Sequence, residues 1–356
     1  MRTAVVILNW NTRDYLDRFL PPLLDSLCGL DAGVVVADNA SGDGSRELLA
    51  ERFPQVRTIL LEQNYGFTGG YNRAFAQLLD GPDAPEYLVL LNSDIEVQPG
   101  WLEPLVGWMD AHPDYAACGP KLHALERDGA AFRRTDRFEY AGAAGGLLDR
   151  YGFPFCRGRV LARTEPDTGQ YDRPADVLWV SGACLLVRAA CWRSVGGLDE
   201  RFFAHMEEID WCWRAQLAGW RVGVVPASCV WHLGGGTLAP SSPFKLKLNF
   251  RNGLLLLENN LPATVGPRRA RRRIRMRRIL DSCAAIVYLL SGKPACAQAV
   301  RDAHREYRTL RRQAPVRTDT APGAAPKGVT GIRILLQAIL RGDGIFKYLR
   351  RYEDRY

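Results

Sequence analysis

Four short runs rich in β-branched and other apolar residues, each followed by an amphipathic stretch, constrain the fold of this chain more than any other feature. The runs are Thr3 to Leu8, Val34 to Asp38, Val56 to Leu61 and Tyr87 to Leu91. Strands that alternate with helical patterns form a mainly parallel sheet with helices on both of its faces. The sequence therefore predicts an α/β fold for its first part.

Polar loops follow each of the predicted strands. They contain Asn9 and Asn11, Asp38 to Ser45, Asn64 to Asn72, and Asn92 to Asp94. The carboxyl ends of parallel strands share one edge of a sheet, and open α/β sheets bind ligands at that edge. The carboxylate of Asp38 could accept hydrogen bonds from a uracil or thymine ring or from a ribose, although a simple Asx turn would give the same sequence pattern.

The third polar loop is rich in glycine. Gly66, Gly69 and Gly70 surround Phe67 where a helix is predicted to begin. Glycines at a helix start let backbone amides approach a phosphate or a sugar closely. The spacing differs from the G-x-G-x-x-G pattern after a first strand, which argues against a nicotinamide or flavin enzyme.

Asp94 is the best candidate for a metal ligand. It follows a predicted buried strand, and Mg²⁺ commonly takes only one or two carboxylates from a protein. Asn92 can add a neutral oxygen, and His232 can complete the coordination, since imidazole suits Mn²⁺ better than Mg²⁺. The alternatives are that Asp94 caps a helix that begins near Pro99 and that His232 is structural.

Glu207, Glu208 and Asp210 crowd one predicted helical turn. Like charges raise one another's pKa, which suits a carboxylate that accepts a proton near neutral pH. We therefore expect a general base here, although the dipole of a helix amino terminus also attracts acidic residues. Nearby aromatic residues are candidates for stacking on a sugar ring or for the core: Phe202, Phe203, Trp211, Trp213 and Trp220.

Charge is distributed unevenly along the chain. Residues 1–260 carry a net charge of −7 and residues 261–356 a net charge of +15. Arginines between Arg268 and Arg278 precede an apolar run from Ala284 to Leu290, a pattern typical of a basic amphipathic helix at an anionic membrane surface. A solvated or oligomer-forming helix is one alternative. Nucleic acid is another, but the basic part lacks a recognition motif and interleaved aromatics.

Other features concern the cellular compartment and the less regular segments. The 9 cysteines form no C-x-x-C pair, and the amino terminus has no charged signal region, so we expect a reducing cytoplasm. No window approaches the roughly 18 apolar residues of a membrane span. Residues 118–176 are predicted to be an irregular, substrate-covering segment, and residues 314–330 a mobile linker before a last basic helix.

Taken together, these residues resemble the family 2 glycosyltransferases with the GT-A fold, especially the rhamnosyltransferase-like and galactofuranosyltransferase-like members. The resemblance covers about residues 3–255. It depends on Val5 to Asn11, Asp38-Asn39-Ala40-Ser41, Asn64 to Asn72, Leu90 to Asp94, Gly196 to Phe203, Glu207-Glu208-Ile209-Asp210 and Arg251-Asn252. The chain departs from the pattern at Asn92, where many relatives have Asp.

The resemblance implies a role for each of these positions. Asp38 would contact the nucleotide base, Asp94 and His232 would bind Mg²⁺ or Mn²⁺, and Glu208 would be the base, supported by Glu207 and Asp210. Further donor contacts would come from Asn9, Asn11, Asn64, Gly66, Phe67, Gly69, Gly70, Asn72, Asn92 and Arg251. It also implies a GT-A domain at 1–260, before a basic helical region at 261–313 and a linker with a terminal basic helix at 314–356.

The implied activity is inverting, metal-dependent transfer of a sugar from a nucleotide diphosphate to a lipid-linked or polysaccharide acceptor hydroxyl in cell-envelope glycan synthesis. A deoxyhexose such as L-rhamnose from dTDP-rhamnose is the expected donor. The protein would be cytoplasmic and peripheral on the inner face of the cell membrane. It could form a homo-oligomer, and it would have no nucleic-acid partner. The alternatives are a nucleotidyltransferase and a non-catalytic nucleic-acid or scaffold protein.

Overall fold

The computed structural model describes residues 1–129, 131–234, 242–316, 318–321 and 324–353. Its strands are β1 Thr3–Asn9, β2 Ala32–Asp38, β3 Arg57–Leu60, β4 Tyr87–Leu91, β5 Ile95–Glu96, β6 Tyr115–Asp128, β7 Ala131–Phe138, β8 Gly146–Leu148, β9 Pro154–Cys156, β10 Arg159–Val160, β11 Arg163–Thr164, β12 Ala175–Asp176, β13 Cys184–Arg188 and β14 Arg221–His232. Its α-helices are α1 Arg13–Ser26, α2 Ser45–Arg52, α3 Gly66–Leu79, α4 Glu103–Ala111, α5 Ala189–Val195, α6 Glu207–Leu217, α7 Pro243–Val265, α8 Pro267–Leu290, α9 Pro294–Leu310, α10 Ile334–Arg341 and α11 Ile345–Glu353.

A mixed sheet forms the centre of the structure. Its strand order is β12-β14-β6-β13-β4-β1-β2-β3, with β5 paired to β14 and β7 paired to β6. Strands β4, β1, β2 and β3 run parallel to one another, whereas β13 is antiparallel to β4. The four strands predicted from the sequence are all present, and the predicted α/β architecture is confirmed.

Both faces of this sheet are covered, which explains why its strands are apolar along their whole length. In β1, Val6 packs into the core on one face and Val5 into the core on the other, and neither is exposed to solvent. A strand buried on both faces has no position for a polar side chain except at its ends.

The register of the parallel strands aligns their carboxyl ends. Asn9 lies opposite Asp38, and Asp38 lies opposite Leu60, so the loops that follow these strands leave the sheet side by side. The hydroxyl of Tyr71 on α3 donates to the carbonyl of Leu91 at 3.1 Å, which packs α3 beside the same edge. The polar loops therefore meet at one edge of the sheet, as predicted.

Residues 118–176 are more regular than the sequence indicated. Strands β6 and β7 form a long antiparallel hairpin, and β8 to β11 form a second sheet of four strands. Strand β7 is largely exposed and rich in arginine, so it has no apolar alternation to detect. Strand β14 pairs with β6 along most of its length, with a register shift between Val224 and Cys229.

The C-terminal part packs against the first part. The domain boundary predicted at residue 260 falls within α7, which contacts both α8 and α9, so the three-part division stays a prediction. Arg277 of α8 is buried in an ion pair with Asp281 and donates to the carbonyl of Gly152 at 2.8 Å. No helix among the described residues is long and apolar enough to cross a membrane.

The segment predicted to be a mobile linker lies along the first part of the chain in its described residues. The hydroxyl of Thr318 donates to the carbonyl of Val195 at 2.8 Å, and the amide of Ala321 donates to the carbonyl of Leu217 at 2.7 Å. Beyond it, Ile334 and Ile345 bury against Phe155 of the smaller sheet. These contacts attach the last two helices to the β8 to β11 sheet.

Candidate functional site

Asp38 lies at the carboxyl end of β2 and is inaccessible to solvent. One carboxylate oxygen accepts from the side-chain amide of Asn9 at 2.8 Å, and the other accepts from the backbone of Ser41 at 3.0 Å and from Arg46 at 2.6 Å. Burial by itself would raise the pKa of Asp38, but these hydrogen bonds outweigh it and hold the pKa below its usual value. Because Asp38 is buried and both of its carboxylate oxygens are engaged within the protein, its contact with a nucleotide base stays a prediction.

The glycine-rich start of α3 differs from the expectation of free backbone amides. The amide of Gly66 donates to the side chain of Asn64, and the amides of Phe67 and Thr68 both donate to the carbonyl of Phe203, at 2.8 and 3.2 Å. These donors are therefore satisfied within the protein and leave no phosphate cradle here. The glycines serve packing instead, because a β-carbon on Gly66 would lie 2.5 Å from the ring of Phe203.

The other predicted donor-side residues also hold loops together. A β-carbon on Gly70 would collide with Leu8, and one on Gly69 would lie 2.9 Å from Tyr65. The side chain of Asn72 makes two 2.8 Å hydrogen bonds to the backbone of Leu198. Asn11 accepts from the amide of Gly42.

Pairing of β5 with β14 brings the two predicted metal ligands together. His232 lies opposite Ile95 in this pair, and its Nε2 is 3.1 Å from Oδ1 of Asp94. Burial would raise the pKa of Asp94, but the neighbouring His232 outweighs it, so the pKa is lowered and the carboxylate is ionised at neutral pH. The sequence placed these two residues 138 positions apart, and the structure brings them into contact.

Glu139, which the sequence analysis did not identify, lies beside the other ring nitrogen of His232. Its Oε2 lies 3.4 Å from Nδ1 of His232, outside good hydrogen-bond geometry. Burial would lower the pKa of His232, but Asp94 and Glu139 outweigh it and hold the pKa well above its usual value. Glu139 was missed because it follows an exposed, irregularly charged strand that has no motif.

The donor set at Asp94 and His232 fits a hard divalent cation that is shared with a ligand. A carboxylate and an imidazole, with a second carboxylate behind the imidazole, is a common arrangement at metal sites. Within the described residues, no group of three or more His, Cys, Asp or Glu side chains forms a metal site. The protein would thus contribute Asp94 and His232, and a bound diphosphate would have to contribute further oxygens. The sequence analysis expected a neutral oxygen from Asn92. In the structure, the amide nitrogen of this side chain is the atom close to His232, 3.3 Å from Nε2.

Glu207 and Glu208 begin α6, and each has a buried carboxylate oxygen without a hydrogen-bond partner. Burial raises the pKa of Glu208 to about 7, although the backbone amides of Ile209, Gly182 and Met206 oppose that effect. Burial and the proximity of Glu208 raise the pKa of Glu207 well above its usual value. A buried carboxyl with a pKa near neutrality and an unused oxygen is suited to accept a proton.

Asp210 forms contacts that the two glutamates lack, but it still acts on Glu207, whose pKa it helps to raise, so its supporting role stays a prediction. Its carboxylate is fully buried, forms an ion pair with Arg214 at 2.8 Å and accepts from Asn259 and Asn260 at 3.0 and 2.7 Å. Asp210 therefore connects α6 to α7. It points into the helix interface because it is two residues after Glu208, on another side of a helix with 3.6 residues per turn.

Arg251 is engaged within the protein, so its predicted contact with the donor stays a prediction. It is buried, donates to the carbonyl of Phe202 at 2.7 Å and pairs with Glu306 at 3.1 Å. It therefore anchors the segment before α6, in which Phe203, His205 and Met206 have φ values of 64°, 71° and 70°. Such backbone conformations cost about 1–3 kcal/mol each and are retained where surrounding contacts impose them.

A short segment, Gly182 and Ala183, connects the region of Asp94 and His232 to the two glutamates. The carbonyl of Ala183 accepts from the amide of Asn92 at 2.9 Å, while Gly182 faces Glu208 on its other side. Lys245 of α7, which the sequence analysis also missed, is close enough to act electrostatically on Asp94, Glu139 and His205, and its pKa is lowered by burial. Asp94, whose pKa is lowered, and Glu208, whose pKa is raised, are thus connected through Gly182 and Ala183.

A family model, "Glycosyl transferase family 2", matches residues 4–162. Among curated proteins, the N-acetylglucosaminyl-diphospho-decaprenol L-rhamnosyltransferase of Mycobacterium tuberculosis is 30% identical over 239 residues, which cover 64% of this chain and 75% of that protein. The rhamnosyltransferase WbbL of Escherichia coli is 28% identical over 165 residues, which cover 46% of this chain and 59% of that protein.

Solved structures of low sequence identity share the fold. GalNAc-T7 in complex with UDP, GalNAc and Mn²⁺ matches with a TM-score of 0.52 at 18% identity, over 70% of this chain and 47% of that chain. The mannosyltransferase PcManGT from Pyrobaculum calidifontis, in complex with GDP-Man and Mn²⁺, matches with a TM-score of 0.50 at 13% identity, over 99% of this chain and 82% of that chain. The predicted GT-A fold is thus confirmed.

Replacing Glu208 by Gln is expected to stabilise the protein in a pH-dependent manner. The pKa of Glu208 rises from 4.5 to about 7 on folding, so the unfolded chain loses its proton first and stability falls as the pH rises through that window. Glu208→Gln should raise the free energy of unfolding by on the order of 2 kcal/mol near pH 8, with no gain near pH 4. Urea unfolding at both pH values measures this effect.

The matched control is Glu51→Gln, which changes an exposed carboxyl on α2 and should leave the free energy of unfolding unchanged at both pH values. An equal gain for Glu208→Gln at pH 4 and at pH 8 would contradict the raised pKa.

Proposed function

The chain belongs to glycosyltransferase family 2, and we propose that it transfers a deoxyhexose such as L-rhamnose, with inversion, from a nucleotide diphosphate donor to the hydroxyl of a lipid-linked or polysaccharide acceptor. The observation that carries this proposal is the pairing of a buried, proton-accepting Glu208 with the ionised Asp94 across Gly182 and Ala183. The rhamnosyltransferase names of two relatives support the choice of dTDP-rhamnose as donor.

Asp94 and His232 would hold the divalent cation, Mg²⁺ or Mn²⁺. The Mn²⁺ complexes of the two solved structures support a metal-dependent donor site in this protein. When bound, such a cation offsets the negative charge that grows on the departing nucleoside diphosphate. Glu139 would orient the ring of His232 from behind, because it lies against the other ring nitrogen.

Glu208 would accept the proton of the acceptor hydroxyl. The acceptor oxygen then forms a bond to the anomeric carbon while the bond from that carbon to the diphosphate oxygen breaks, so one displacement inverts the configuration. Because Glu208 carries a pKa near 7, a useful fraction of it is ionised at neutral pH while it still binds a proton well. Glu207 would keep this pKa high, since two carboxylates in one buried turn resist double ionisation.

A membrane-facing surface on α8 would bring the enzyme to a lipid-linked acceptor. Ile279, Ile286, Val287 and Leu290 are more than half exposed, at 55%, 58%, 59% and 83%, and follow one another at helical spacing. Exposed arginines precede them on the same helix, from Arg268 to Arg275. Apolar side chains beside a cationic stretch match the interface of an anionic leaflet, and such docking would place the protein on the inner face of the cell membrane.

Two other functions remain distinguishable by experiment. A nucleotidyltransferase would also use a metal-bound carboxylate, but it releases pyrophosphate, whereas the proposed reaction releases nucleoside diphosphate. A nucleic-acid or scaffold protein based on the basic C-terminal part predicts no role for Glu208 or Asp94. The two unpartnered glutamate oxygens favour the enzyme. A buried polar atom without a hydrogen bond destabilises the folded state, and no structural contact from the part of the chain that the structure describes compensates for it at these two oxygens.

Incubation of the protein with dTDP-rhamnose, a polyprenyl-linked acceptor and Mn²⁺ is expected to release dTDP and to yield an acceptor extended by one sugar, as followed by mass spectrometry. Glu208→Gln should lower turnover by at least about 10²-fold, because it cannot accept the proton, while donor affinity stays within a few-fold of wild type. Release of pyrophosphate, or wild-type turnover in Glu208→Gln, would refute this assignment.

Asp94→Asn is expected to remove the effect of metal on donor binding, because it removes a charge without changing the shape of the side chain. Calorimetric titration with dTDP-rhamnose should show that Mn²⁺ raises wild-type affinity at least about 10-fold, a gain of about 1.4 kcal/mol, and has little effect on the variant. The control Asp83→Asn alters an exposed aspartate and should respond like wild type. The same Mn²⁺ response in Asp94→Asn would exclude Asp94 as a ligand.

The double variant Val287→Glu/Leu290→Glu is expected to reduce flotation of the protein with phosphatidylglycerol vesicles, because two charges enter the apolar interface. Wild type should float with these vesicles and not with phosphatidylcholine vesicles. Ala50→Glu, at an exposed position of α2, is the control and should float like wild type. Unchanged flotation of the double variant would assign this face to solvent. Loss of a dimer without a change in flotation would assign it to contact with a second copy.

A further inference from the structure

The segment that precedes Glu207 and Glu208 adopts a conformation that its own residues do not favour. Phe203, His205 and Met206 all have positive φ values, at 64°, 71° and 70°, and none of them is glycine. Side chains with a β-carbon disfavour this region of backbone space. Contacts from outside the segment must therefore hold it in place.

Asn252 of α7 provides the most concentrated of these contacts. Its fully buried side-chain nitrogen lies 3.0 Å from the carbonyl oxygen of Phe202, 2.8 Å from that of Ala204 and 2.7 Å from that of His205. Its side-chain oxygen accepts from Arg251 at 2.9 Å, which fixes the orientation of the amide. The two N–H hydrogens of this amide are thus shared among three carbonyls of a four-residue stretch.

The shortest of these three bonds acts on the peptide unit that joins His205 to Met206. This unit is trans, so its carbonyl and its N–H group point in opposite directions. The carbonyl is directed at Asn252, so the N–H group of Met206 points away from Asn252, and this N–H opposes the rise in the pKa of Glu208 that burial causes. Asn252 therefore fixes the orientation of a peptide unit that directly precedes α6 and its two glutamates.

The same segment also contacts the start of α3. The carbonyl of Phe203 accepts from the amides of Phe67 and Thr68 at the start of α3, at 2.8 and 3.2 Å. The ring of Phe203 covers Gly66, where a β-carbon would lie 2.5 Å from it. The segment is thus held between α7 and α3, directly before the two glutamates.

We propose that Asn252 is a positioning residue for the base: by holding the peptide unit between His205 and Met206, it sets the orientation and the charge environment of the Glu208 carboxyl. This inference rests on the proposed function, in which Glu208 accepts the acceptor proton. Neither Asn252 nor Arg251 then touches the substrate. Their pairing serves the geometry of the segment before α6.

Asn252→Ala tests this role in the full-length protein with the donor, acceptor and Mn²⁺ used for wild type. The expected result is a fall in kcat of about 10²-fold, the size of effect that a misplacement of about 1 Å can cause, with donor affinity within about 3-fold of wild type. The ascending limb of the kcat pH profile should move to higher pH, because the Met206 amide that stabilises the charged carboxylate turns away.

Asn260→Ala is the matched control. It removes another buried asparagine of α7, whose amide donates to Asp210 rather than to the segment before α6. It should lower the melting temperature to a comparable extent and leave the pH limb in place.

Other titratable groups also act electrostatically with Glu208: Glu207 and Cys212 of α6 and Cys156 of β9. The hydrogen bonds of Asn252 do not involve the side chains of these three residues.

A wild-type pH limb in Asn252→Ala, or a limb moved to lower pH, would overturn the proposal, as would equal losses of kcat in Asn252→Ala and Asn260→Ala. If Asn252→Ala does not fold, Asn252→Ser, which keeps one hydroxyl donor, is judged by the same outcomes. Absence of transfer by the wild-type protein would instead overturn the proposed function, so the two failures are distinguishable.

Discussion

Burial of both faces of the central sheet determines where this chain can place polar chemistry. The strands β4, β1 and β2 have no solvent-facing side, so polar side chains follow where the strands end, at Asn9, Asp38 and Asn92. The parallel register then collects these ends at one edge. Most groups at that edge satisfy one another, as the contacts of Asp38 with Asn9 and Arg46 illustrate.

Two carboxyl groups of the site have environments that differ in opposite ways. Burial would raise the pKa of Asp94, but the neighbouring His232 outweighs it and keeps the carboxylate charged. Glu208 lies beside another carboxyl and, in the described part of the chain, has no cation as a partner. Burial raises its pKa to about 7, although the nearby backbone amides oppose the rise. Environments that separate the pKa values of two acids suit them to different chemical tasks, which in the proposed function are metal binding for Asp94 and proton acceptance for Glu208.

The sequence predicted the strands and the aligned loops because these depend on local apolar patterning, which survives in any fold. It also named Asp94, His232, Glu207 and Glu208 from residue type and position. It was wrong about the start of α3, because whether an amide is free depends on a partner such as the carbonyl of Phe203, 136 residues after Phe67. Nor could the sequence show that Arg251 pairs with Glu306, 55 residues away, or that Asp210 accepts from Asn260, 50 residues away.

The most direct test of this account is a crystal structure of the protein with dTDP-rhamnose and Mn²⁺. The account predicts a Mn²⁺ ion coordinated by Asp94, His232 and the diphosphate, with the carboxyl of Glu208 on the opposite face of the anomeric carbon from the diphosphate and Asn252 still bound to the carbonyl of His205. A donor seated with Glu208 on the diphosphate side of the sugar, or a metal ion held without Asp94, would contradict it.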